Sequence, residues 1–147
     1  MTDSTITLVV RRTIAARATR LFAAWTEPEQ LRHWWGPDGV ACVDAAVDLR
    51  AGGRYRIGNR MPDGSVLWIA GEFEVVERPH RLVYTWQLEG GSGATERVAV
   101  AFVERGQATE VIVTHTRIAT AALRDGHRAG WEGCLDGLDR YVHTSPG

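Results

Sequence analysis

The stretch 121–142 is the longest in the chain with one uninterrupted helical period. At about 100° per residue, Leu123, His127, Trp131, Cys134, Leu135, Leu138, Tyr141 and Val142 fall on one arc, and Asp125, Arg128, Glu132, Asp136, Asp139 and Arg140 fall opposite. A helix of this length with one apolar face has to be covered by something large. Gly126, Gly130, Gly133 and Gly137 run along one flank of that face. Each costs a helix interior roughly 0.5–1 kcal/mol relative to Ala. Close approach of another backbone, space kept beside Trp131 for a bound molecule, and plain compositional drift in an Arg-only, Gly-rich chain all account for them.

Ahead of this helix the pattern changes period. Thr5 to Thr13 alternates, with Ile6, Leu8 and Val10 on one side. Ala18, Leu21, Phe22 and Trp25 then follow a helical spacing, and Thr26 to Glu29 reads as a capping box that opens a second short helix carrying Leu31, Trp34 and Trp35, stopped by Gly36-Pro37. From there to Thr116 six strands are predicted, at Val43–Leu49, Tyr55–Arg60, Val66–Val76, Leu82–Leu88, Arg97–Val103 and Glu110–Thr116. They are separated by turn residues such as Pro62-Asp63-Gly64 and by a flexible loop at Gly90-Gly91-Ser92-Gly93.

With no helix between these strands the sheet is an antiparallel meander, and the C-terminal helix is the only element long enough to cover it. Alternation assigns the covered face to Tyr55, Ile57, Leu67, Ile69, Phe73, Leu82, Tyr84, Trp86, Val98, Val100, Phe102, Val111, Val113 and His115. Trp68 alternates with Leu67 and Ile69 and points outward unless a bulge turns it in.

The totals narrow the function. A chain of 147 residues is expected to form one domain, residues 1–147. A net charge of −1 with dispersed arginines disfavours nucleic acid and anionic membranes as partners. No segment approaches the ~20 apolar residues of a membrane span and no signal peptide is apparent, so a cytoplasmic location is expected. Cys42 and Cys134 read as free buried thiols, and the five histidines show no paired ligand spacing, so neither a metal nor another cofactor is expected.

The order of elements, with Leu21-Phe22-x-Ala24-Trp25-Thr26-x-Pro28-Glu29-x-Leu31, Trp34-Trp35-Gly36-Pro37, Asp48-Leu49-Arg50-x-Gly52-Gly53, Pro62-Asp63-Gly64, Arg81-Leu82-Val83-Tyr84-Thr85-Trp86 and Gly130-Trp131, resembles the START/Bet v-like (SRPBCC) superfamily, in the branch named for the activator of heat-shock-protein ATPase. The resemblance implies an α+β helix-grip fold, a curved seven-stranded antiparallel sheet around a long C-terminal helix with two short helices after the first strand. It also implies a cavity for an apolar small molecule. The domain that engages the ATPase in the branch's co-chaperones is not in this sequence, and chaperone activation is not carried over.

Six tryptophans supply the candidate site. Rigid aromatic walls with few polar tips suit a flat apolar, aromatic or polycyclic molecule. The expected gate is Trp25, Trp34 and Trp35; the sheet wall is Tyr55, Tyr84, Trp86, Val98 and Val113; the helix wall is Trp131, Leu135 and Leu138; His115 is a polar tip. The simplest alternative is that these rings fill the core. An enzyme of cyclase or dehydratase type, with His115 and a tyrosine such as Tyr84 as acid and base, or a protein-interaction module, including a homodimer, are the other readings.

Overall fold

A computed structural model describes residues 6–36, 39–89 and 95–144. The elements run β1 (Ile6–Ile14), α1 (Ala18–Thr26), α2 (Pro28–Trp34), β2 (Ala41–Val47), β3 (Arg54–Arg60), β4 (Val66–Glu77), β5 (Arg81–Leu88), β6 (Glu96–Arg105), β7 (Ala108–Ile118) and α3 (Ala121–Thr144). All seven strands form one sheet in the order β1-β7-β6-β5-β4-β3-β2, and every neighbouring pair is antiparallel. This is the helix-grip fold, with α3 lying on the face of the curved sheet.

Alternation explains the core. Val98, Val100 and Phe102 on β6 and Val111 and Val113 on β7 point to the same side as Leu8, Val10 and Ile14 on β1, and all are buried with Leu135 and Leu138 of α3. Arg12 on β1 reaches across to Asp136 and Asp139 on the opposite flank of α3, tying helix to sheet at the surface.

Two local expectations are corrected. Thr26 does not open α2: it ends α1, where its hydroxyl donates back to the Phe22 carbonyl at 2.8 Å, and α2 starts with Pro28 in its first turn after an extended Glu27. A proline there has no amide to satisfy and a φ already suited to a helix, so it displaces the capping box. Leu67 is on the concave side but 43% exposed, because it sits at the end of β4 beyond the reach of α3. Trp68 points outward, with the Arg56 guanidinium 3.8 Å from its ring centre. The Gly90-Gly91-Ser92-Gly93 loop and Pro37 lie outside the described residues.

The glycine flank of α3 divides in two. A Cβ on Gly137 would lie 2.7 Å from the Trp34 carbonyl oxygen, so here glycine lets the backbone of α2 close on α3. At Gly126 and Gly130 the same atom would meet nothing within 4 Å. The first three turns of α3, capped by Thr120, whose hydroxyl accepts the Leu123 amide at 3.1 Å, are largely uncovered, and Leu123 is 46% exposed. None of the described helices is long and apolar enough to cross a membrane.

Candidate functional site

The tryptophans converge, but mostly on each other. Trp25 stacks on Trp131 at 5.9 Å and meets Trp34 at 5.1 Å, Phe102 at 5.9 Å and Trp35 at 6.2 Å. The Trp34 indole N–H donates to the Ala24 carbonyl at 2.9 Å. The space among Trp25, Leu31, Trp35, Tyr55, Phe73, Tyr84 and Trp86 amounts to only about 20 Å³. That is room for about one water molecule. Val98, Val113, Leu135 and Leu138, all fully buried, line neither this space nor the cleft described next.

A second opening lies under the uncovered turns of α3. It measures about 130 Å³ and is walled by Trp35, Trp86 and Trp131 with Ile69, floored by the open flank of Gly126 and Gly130, and reached by Asn59, His115, His127 and Cys134. An apolar cavity of roughly 150 Å³ is known to hold benzene, so this is space for a single ring, with anything larger extending through the mouth. Burial pushes the Cys134 thiol up to about 12, which leaves it an inert wall.

Its polar end is built by three elements. Glu96 opens β6 on the inward side, opposite Trp86 of β5, and His115 on β7 is paired with Val98, one inward step away. His127 comes from α3, one turn before Trp131. The Trp131 indole N–H donates to His115 Nδ1 at 3.0 Å, and His115 Nε2 lies 2.6 Å from Glu96 Oε1. Indole nitrogen is a donor only. His115 therefore keeps its lone pair on Nδ1 and its proton on Nε2, which it gives to the Glu96 carboxylate.

The His127 ring stacks on His115 at 4.4 Å and 15°, and Trp86 closes on His127 edge-to-face at 5.0 Å. His127 Nε2 is 3.0 Å from Glu96 Oε1, but off the line that a hydrogen bond needs, so this nitrogen is buried without a hydrogen-bond partner. Burial sets the protonation preferences of all three. It raises the Glu96 carboxyl to about 7, lowers His115 to about 3 with help from its neighbour His127, and lowers His127.

Glu96, His115 and His127 offer ligand atoms within 4.8 Å of one another, a grouping that spacing along the sequence could not show. The arrangement does not fit a cation. A metal-bound histidine usually donates its other N–H to an acceptor, whereas here His115 accepts from Trp131 on one nitrogen and carries a proton on the other. Metal ligation at Nε2 would leave both nitrogens without a proton, and two stacked rings do not aim their in-plane lone pairs at one point. These donors are arranged around a proton.

Tyr84 is not part of the cluster. Its hydroxyl accepts from the Trp25 indole at 3.4 Å within the closed aromatic space, and burial raises it well above the ordinary phenol range. Tyr55 is likewise raised by burial and donates to the Thr85 carbonyl at 2.6 Å. Two polar residues were missed in the sequence: Asn59, in the lining of the cleft, and Glu96, behind His115 and His127. Each had a signal: Glu96 precedes Val98, Val100 and Phe102 on the inward phase of β6, and Asn59 follows Tyr55 and Ile57 on that of β3.

Comparison with known proteins agrees with this architecture. The family model described as activator of Hsp90 ATPase homolog 1-like protein, AHSA1, matches residues 15–143. The chain belongs to the AHSA1 family. Among curated proteins, none matches the AHSA1 chain described here. Among solved structures, a Chromobacterium violaceum protein superposes with a TM-score of 0.86 at 20% identity, covering 92% of this chain and 96% of its own. The AHSA1 protein of Silicibacter pomeroyi gives 0.84 at 23% identity, covering 95% and 99%. CalU16 from Micromonospora echinospora gives 0.73 at 24% identity, covering 95% and 76%. At these identities the AHSA1 likeness is one of fold.

Proposed function

We propose that this protein binds a small, flat, largely apolar molecule carrying an O–H or N–H group, in the cleft between the first turns of α3 and the concave sheet. The observation that carries this reading is the location of two unsatisfied atoms. Among the described residues, Asn59 Oδ1 and His127 Nε2 are the buried side-chain polar atoms without a partner, and both residues line that cleft. Leaving such an atom unpaired costs about 1–3 kcal/mol, and at Asn59 Oδ1, which can only accept, a ligand O–H or N–H would recover it. Trp35, Trp86 and Trp131 supply stacking surfaces, and the open flank at Gly126 and Gly130 supplies room.

Calorimetric titration with phenol and with toluene tests the reading. Phenol is expected to bind at least about tenfold more tightly, because toluene leaves Asn59 Oδ1 unpaired. Asn59→Ala is expected to narrow that preference, and Gly130→Leu, which fills the cleft from an open position, to abolish binding of both. Unchanged phenol affinity in Gly130→Leu would remove the cleft from consideration. The activity in the family's name, activation of the Hsp90 ATPase, draws on no feature of this cleft. Self-association or docking of another protein would instead use the exposed Leu67, Leu88 and Leu123.

A further inference from the structure

Resting on that binding reading, the geometry points to an acid–base function for the same cleft: we infer that His127 exchanges a proton with the bound molecule, and that Glu96, anchored by His115 and Trp131, is the carboxylate that orients and charges it. The substrate class is a small planar compound that adds, to the O–H or N–H group of that reading, an acidic C–H beside an electron-withdrawing group.

The argument begins with the direction of the hydrogen bonds. Trp131 donates to His115, and His115 donates to Glu96 Oε1. This chain holds the carboxylate from behind and leaves its remaining lone pairs for His127, whose Nε2 is already 3.0 Å away. A small rotation of the His127 ring aligns Nε2–H with Oε1, and such bonds commonly tighten only when substrate is bound. His127 Nδ1 then carries the lone pair. His127 is also a cleft-lining residue on the turn flanked by the two open glycines, whereas Glu96 is not on the lining. The residue that touches substrate is therefore His127, with Glu96 in a positioning role.

The surroundings suit the role. Around Glu96, β5 contributes Trp86, β7 contributes His115 and α3 contributes His127, while the protonated thiol of Cys134 lines the same cleft as His127. Among the described residues, the ion pairs of Glu96 are to those two histidines, with no arginine among them. Without a guanidinium to neutralise the carboxylate, its charge is available to stabilise an imidazolium forming at His127. His115 cannot take over that task, because its Nδ1 is occupied by a donor.

Ring opening of a nitrobenzisoxazole that also bears a ring hydroxyl, and so pairs the O–H of the binding reading with an acidic ring C–H, provides a test. His127 removes the proton from the ring carbon, the C–H electron pair becomes part of the nitrile, and the N–O bond breaks with its pair going to the phenolate oxygen. The proton on His127 passes to solvent. Wild-type protein is expected to saturate with this probe, at a rate rising with pH to a plateau. His127→Gln should lower kcat by about 100-fold or more. Glu96→Gln should lower kcat with little change in KM and displace the midpoint of the pH profile, which loss of mere packing would not do. Nitroindazole has the same shape and cannot open, so its binding by calorimetry reports the cleft alone. Binding of nitroindazole with no ring opening, or full turnover in His127→Gln, overturns the acid–base assignment and leaves the binding reading intact. Absence of both binding and turnover overturns both.

Discussion

The indole N–H of Trp131 donates to Nδ1 of His115 at 3.0 Å, and this one bond decides which nitrogen of a buried imidazole carries its proton. Long-range proton–nitrogen NMR is expected to find His115 as the Nε2–H tautomer throughout the neutral range. In Trp131→Phe an aromatic ring is kept and the donor is lost, so Nδ1 becomes free to bind a proton and His115 is expected to titrate at higher pH than in the parent. An Nδ1–H signal from His115 in the wild-type protein would contradict the hydrogen-bond direction on which the cluster depends.

Acid stability should carry the signature of two opposed linkages. Glu96 takes up a proton near 7 when folded against 4.5 when unfolded, so between these values the folded state holds more protons and stability falls as pH rises. His115 titrates near 3 folded against 6.5 unfolded, so between those values stability rises with pH. Across the shared window the slopes offset each other. Glu96→Gln keeps an acceptor for His115 and removes the falling slope. Its stability relative to wild type should increase from pH 4.5 to pH 7, by at most about 1.4 kcal/mol per pH unit, measured by denaturant titration at fixed pH values. A difference that stays flat would show that the Glu96 carboxyl is not raised.

Glycine to alanine should have opposite signs at two positions of α3. At Gly130 the added methyl enters open space, and the gain in helix propensity is about 0.5–1 kcal/mol of stability. At Gly137 the methyl would sit 2.7 Å from the Trp34 carbonyl, forcing α2 and α3 apart, and a net loss is expected. Thermal unfolding of the two variants decides the matter, and a gain at both would mean that α2 does not rest on Gly137.

Leu138→Ala should cost about 2–5 kcal/mol of stability, as a fully buried leucine in the centre of the grip. Phenol affinity of the folded protein should be unchanged, because Leu138 does not line the cleft. A large loss of affinity at full folding would return the helix wall of the site to Leu135 and Leu138.

Much of the fold was legible because period and phase are local properties. Seven alternating segments and one long amphipathic helix leave few ways to pack, and the strand edges differ from expectation by a few residues. What stayed hidden was produced by packing distance. The wheel places Leu123 and Leu138 on the same arc, yet one is exposed and the other buried, since Leu123 lies ahead of the turn where His127 first meets the sheet and Leu138 lies in the packed C-terminal turns. The tryptophans illustrate the same limit: alternation indicates that Trp25 and Trp131 point inward, but not that they stack on each other and consume the expected cavity. Glu96 and His127 are 31 positions apart on elements of different period, so their meeting at 3.0 Å is a property of the fold alone.

The division of α3 into a packed half and an overhanging half has an evolutionary consequence. Leu135, Gly137 and Leu138 are bound to the integrity of the whole domain, and changes there are filtered by folding before they are filtered by function. Residues 123–130 face solvent or the cleft, so substitutions there alter what the cleft accepts while leaving the fold nearly untouched. Stability and selectivity are thus written on separate turns of one helix, and a lineage can retune its ligand by drifting along the first without renegotiating the second.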